Sequence, residues 1–80
     1  MSQWRQCKRR EFISRLRTLG FTGLFSGTKH QFMVYAKHRL TIPSNAQYSV
    51  PQLRMLVREV EHIIGRRVSA DEWDRLGKEK

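Results

Sequence analysis

Eighty residues with sixteen Lys and Arg against seven Asp and Glu, a formal charge of +9, make one small basic domain. That length excludes a second core and a deep, enclosed active site, because the buried fraction falls steeply at this size and net stability is roughly 3–5 kcal/mol. The charge surplus suits a polyanionic partner, and a single cysteine, Cys7, excludes an intrachain disulfide or a cysteine-built metal site.

The opening MSQWRQCKRR lacks the apolar run of a signal peptide, and no stretch reaches transmembrane length, so the expectation is a cytoplasmic protein with no membrane contact. Residues 1–7 read as a loose leader in which only Trp4 has something to pack. A helix is expected over 8–19, where Phe12, Ile13, Leu16 and Leu19 form one apolar stripe and Gly20 is placed to end it. Phe21 to Phe25 reads as a first strand, and Ser26-Gly27 as a turn.

From Lys29 to Lys37 the residues alternate. His30, Phe32, Val34 and Ala36 share one side; Gln31, Met33, Tyr35 and Lys37 share the other. Lys37-His38-Arg39 reads as a turn, and a third strand through Leu40 and Ile42 stops at Pro43, which has no N–H for a ladder. Ser44–Tyr48 reads as a loop.

Ser49 and Gln52 have capping-box spacing at the start of the longest amphipathic run, Val50 to Ile64, with Pro51 in its first turn and Gly65 at its end. Arg54 and Arg58 share its polar face. Ser69 and Glu72 repeat the capping spacing, Val68 and Trp73 sit at staple positions, and Leu76 continues the stripe of a short last helix. The order is helix, three strands, helix, short helix: an α+β domain with two helices on one face of a three-stranded antiparallel sheet and the opposite face wet.

Few catalytic patterns are present. There is no HExxH, GxGxxG, P-loop or GxSxG, so zinc hydrolysis, nucleotide cofactors and serine hydrolysis are not expected, and neither cofactor nor metal is called for. His62 reads as a cation at a helix C-terminus. His38 reads equally as a solvated turn residue or a phosphate contact. His30, beside Lys29 after a glycine turn, has two readings: packing against Phe32 at a strand edge, or proton transfer in RNA cleavage. The second is chemically economical, because RNA carries its own 2′-OH nucleophile and needs only a proton acceptor, a donor and cationic stabilisation. From the residues alone the packing reading is favoured.

The ordered set EFISRLRTLGF, SGTKHQF, RLTIP and YSVPQLRMLVREVEHIIG resembles the HicA family of bacterial toxins. The matches are Gly20-Phe21, Gly27-Thr28-Lys29-His30, Ile42-Pro43 and Leu53-Arg54. They span roughly residues 8–65, so 66–80 reads as a C-terminal extension. The resemblance implies a double-stranded-RNA-binding-domain-like fold, α-β-β-β-α, and a metal-independent endoribonuclease that cleaves mRNA and is neutralised by a HicB-type antitoxin. It implies His30 as the catalytic residue, with Lys29 in place of a histidine that many members carry, and Ser44-Asn45 where many have another. Thr28, Lys29, Lys37, Arg39, Arg54 and Arg58 are the expected RNA phosphate contacts. The alternative is a nucleic-acid-binding module of the same fold without catalysis, which needs only the charge and the sheet.

Overall fold

The stripe through Phe12 and Leu16 lies on α1 (Arg9–Leu19), and both residues are fully buried. A computed structural model describes residues 2–78; Met1, and Glu79 and Lys80 of the expected extension, lie outside them. α1 ends as its sequence demands. Gly20 takes φ 113°, its N–H donates to the Arg17 carbonyl, and the Phe21 N–H donates to the Leu16 carbonyl. This is a doubly bonded, left-handed helix stop that glycine accepts without Cβ strain.

Three strands follow: β2 (Thr22–Ser26), β3 (Gln31–Tyr35) and β4 (His38–Ile42), antiparallel in the order β2-β3-β4. A short strand, β1 (Cys7–Lys8), precedes α1. Met33 pairs with Leu40 and Gln31 with Ile42, and Met33, Leu40 and Ile42 are all buried. The Gln31, Met33, Tyr35 side of the alternation therefore faces the helices, and Phe32 and Val34 face out.

Two boundaries differ from the sequence reading. The β3–β4 connection is Ala36-Lys37, with Tyr35 paired to His38, so His38 opens a strand. Ala36 adopts φ 54°, as a tight two-residue hairpin turn requires. Leu40 and Ile42 keep their shared inward face, since a one-residue slip would expose both. His30 lies before β3, in the turn after β2, and is exposed, so it is not packed at a strand edge.

Residues 2–7 of the expected leader are not loose. β1 pairs antiparallel with β5 (Gln47–Tyr48), inside the segment read as a loop, with Cys7 opposite Tyr48. Both are buried. The Arg9 N–H donates to the Ala46 carbonyl, and the Tyr48 hydroxyl donates to the Pro43 carbonyl at 2.7 Å. Trp4 stacks 6.5 Å from Trp73, centroid to centroid.

α2 (Val50–Ile64) and α3 (Ala70–Leu76) begin at Ser49 and Ser69, whose hydroxyls accept the N–H of Gln52 and Glu72. Neither capping box is reciprocal. The Gln52 amide bonds Asn45, and the Glu72 carboxylate pairs with Arg66 at 2.8 Å. Leu53, Leu56, Val57 and Val60 fill the core from α2; Val68, Trp73 and Leu76 fill it from the C-terminal segment. The expected α-β-β-β-α order, with its short last helix and one wet sheet face, is the observed one.

Candidate nucleic-acid interface

Charge is partitioned along the chain. No Asp or Glu occurs between Glu11 and Glu59, so the entire three-stranded sheet and both of its turns are free of acid. Most of the carboxylates elsewhere are committed. Glu11 accepts the Lys8 N–H, Glu61 accepts the Val68 N–H, and Asp71 accepts the Ser2 N–H. Asp74 pairs with Arg5 at 3.4 Å and Glu72 with Arg66. These are the ion pairs among the described residues, and both join terminal segments. Among the described residues none of the sheet's cations is ion-paired, although Glu59 of α2 shares a groove with Arg39 and Thr41; Lys29 and Lys37, at the turns, direct their field at solvent.

The turn after β2 holds three of the expected site residues together. Thr28 and Lys29 form its tip, and His30 follows; all three are exposed. The turn is closed by the Gly27 N–H, which donates to the His30 carbonyl at 2.9 Å. His30 is therefore held by its backbone while its imidazole stays in solvent.

Lys37 occupies the other hairpin turn, at the far end of β3. Six residues of extended chain from His30 to Ala36 put the two turns roughly 20 Å apart. Arg39 lies between them on β4, its guanidinium 4.5 Å from the Phe32 ring centroid. Arg54 and Arg58 stand elsewhere: they line a groove with Trp4, Glu61, Arg67 and Ser69, where α2 meets the segment leading to α3. The expected phosphate contacts thus form a sheet set and a helix set.

Two arginines act as hooks within the fold. Arg17 donates from Nε and Nη2 to the Gly23 carbonyl at 3.1 and 2.9 Å, holding β2 where its register with β3 shifts. Arg9 donates from Nε to the Pro43 carbonyl at 2.9 Å and also reaches the Gln31 side chain.

The residues the sequence reading passed over are aromatic. Phe25 is 45 % exposed and sits opposite Phe32 across β2–β3, ring centroids 5.7 Å apart. Alternation grouped Phe32 with Val34; only the packing of Met33 shows that this group faces solvent.

Among the described residues, no group of three His, Cys, Asp or Glu side chains is placed to hold a metal, and no helix is long and apolar enough to cross a membrane. No family model, curated protein or solved structure matches the chain.

Proposed function

We propose that this protein binds mRNA through its acid-free sheet and cleaves it at His30, as a cytoplasmic endoribonuclease toxin of the HicA kind that needs no metal. The observation that supports this reading best is the position of His30: solvent-exposed and beside Lys29, in a backbone-closed turn at the end of a surface that carries cations and no carboxylate.

The chemistry follows from that position. The neutral imidazole of His30 takes the 2′-OH proton as the 2′ oxygen attacks the adjacent phosphorus. The P–O5′ bond breaks, the departing 5′ oxygen receives a proton from the imidazolium, and a 2′,3′-cyclic phosphate remains. The Lys29 ammonium and the Thr28 hydroxyl stabilise the charge that gathers on the non-bridging oxygens. Lys37 and Arg39 hold backbone phosphates along the sheet, and Arg54 and Arg58 extend the contact to the helical side. A HicB-type antitoxin with an acidic face is the partner such a surface fits.

The test is incubation of mRNA with the purified protein and its His30→Ala variant, with and without chelator. Loss of about 10²–10⁴-fold in cleavage rate on substitution is expected, with no chelator effect. Equal cleavage by both proteins overturns the assignment. A second reading, binding without cleavage, is favoured by the turn itself, whose residues 27–30 carry Thr28 and Lys29 with His30 but no second imidazole and no carboxylate. Its signature is salt-dependent binding, equal in the two proteins, with no products.

A further inference from the structure

The open sheet face carries two aromatic rings that phosphate binding does not use. Phe25, Phe32 and Thr41 form one cross-strand row, and Val34 and Arg39 the next. The helices cover the other face, and among the described residues Phe32 is overlaid only by Arg39 and by its neighbour Phe25. Phe25 is one of two large apolar side chains exposed among the described residues, the other being Met55 on α2. The Phe25 and Phe32 planes meet at 38°, and Arg39 is held over Phe32 by its attraction to the ring.

The geometry points to a stacking platform for unpaired bases: single-stranded RNA lying across the sheet, with one base on Phe25 and the next on the Arg39 guanidinium above Phe32. Aromatic rings and guanidinium groups are the surfaces on which splayed bases stack, whereas a duplex keeps its bases within its own stack. Charge complementarity selects this occupant over an apolar protein patch, because the face is bordered by Lys29 and His30 at one turn and Lys37 at the other and contains no acid. The platform also leads to the candidate chemistry. The Cβ position of Gly27 lies 3.6 Å from the Phe32 ring, so a nucleotide stacked there delivers its backbone to the His30 turn. This inference rests on the RNA-binding part of the proposed function and is independent of cleavage.

The experiment is fluorescence-anisotropy titration of a labelled ten-nucleotide oligouridylate, an abasic strand of equal length and a duplex of equal length. The protein is the His30→Ala chain, which blocks cleavage, and the same chain with Phe25→Ala or Phe32→Leu added. Each ring substitution is expected to weaken oligouridylate binding roughly 5- to 100-fold, leaving duplex and abasic affinity and the salt slope unchanged. Salt-dependent oligouridylate binding that neither substitution weakens overturns the platform and leaves RNA binding standing. Equal losses on all three strands also overturn it, since the rings would then only support the fold. Absence of RNA binding by the parent chain overturns both readings. Concentration-dependent dimerisation abolished by Phe25→Ala assigns the face to a second copy and overturns the platform.

Discussion

A methyl group on Gly27 would stand 2.7 Å from the carbonyl oxygen of His30, the same oxygen that accepts the Gly27 N–H. The turn therefore tolerates no side chain at residue 27, for reasons of space. Gly27→Ala must push the two backbones apart and reorient His30. The expected stability cost is about 1–3 kcal/mol, and the expected loss of cleavage is about 10²-fold, as for a misplacement near 1 Å. Gly65→Ala is the control: its φ of 77° strains alanine, but the space around it is empty. It should lower the unfolding midpoint and leave RNA cleavage intact. Undiminished cleavage by Gly27→Ala would mean that the turn does not position the reaction.

The helix ends were legible because capping is local. Gly20, Ser49, Gly65 and Ser69 each act on residues within one turn, so spacing alone located them. The β1–β5 pair was not legible: two residues at each end of a forty-residue separation leave no periodicity. The hairpin turn falls at Ala36-Lys37 rather than at Lys37-His38-Arg39 because Ala36 takes a left-handed conformation that sequence rules reserve for Gly or Asn. At the candidate site, alternation grouped Phe32 with His30 and Val34, but a period of two cannot say which side is wet. That depended on Met33 meeting the helices. The acid-free interval is visible in the sequence, yet its meaning required seeing that it covers the whole sheet.

Charge placement predicts which cations RNA will feel. On the proposed function, Lys29→Gln and Lys37→Gln each remove one phosphate contact from turns that carry no carboxylate. Each should make the slope of log affinity against log salt shallower by about 0.7, the single-strand value per contact. Arg5→Gln should leave the slope unchanged, because Arg5 already faces Asp74. Salt titrations of the three variants against one oligonucleotide decide the matter; an Arg5 effect as large as that of Lys29 would move the interface to the terminal segments.

Alkaline pH should loosen the β1–β5 pair. Burial pushes the Cys7 thiol above its ordinary 9.0 and the Tyr48 phenol above its ordinary 10.0, with Arg15 and Arg9 respectively opposing the shift. The unfolded chain then gives up these protons first. Their contribution is fully present below about pH 9 and is lost as pH rises through and beyond the unfolded values. Urea midpoints measured from pH 7 to 11 should fall above about pH 9 for the parent chain. Cys7→Ala should fall less steeply near the lower end of that range, and Tyr48→Phe near the upper. An identical pH profile in Cys7→Ala would show that the thiol titrates alike folded and unfolded.

The C-terminal segment is expected to be indispensable to folding, although it lies outside the motifs that give the chain its resemblance. Trp73 is 4 % exposed, packs 5.5 Å from Phe12 and 6.5 Å from Trp4, and lies under the Arg15 guanidinium. It therefore joins α1, α3 and the N-terminal strap in one cluster. Truncating a buried tryptophan to alanine costs about 3–5 kcal/mol, comparable to the roughly 3–5 kcal/mol available to a domain of this size. Trp73→Ala should leave little folded protein at 37 °C by circular dichroism, whereas Trp73→Phe, which keeps a ring against Phe12, should remain folded with a lowered midpoint. A chain ending at Gly65 should behave like Trp73→Ala, because it uncovers Phe12 and removes Val68 and Leu76 together. If that shortened chain unfolds at the parent's urea midpoint, the segment is an accessory and the core closes without it.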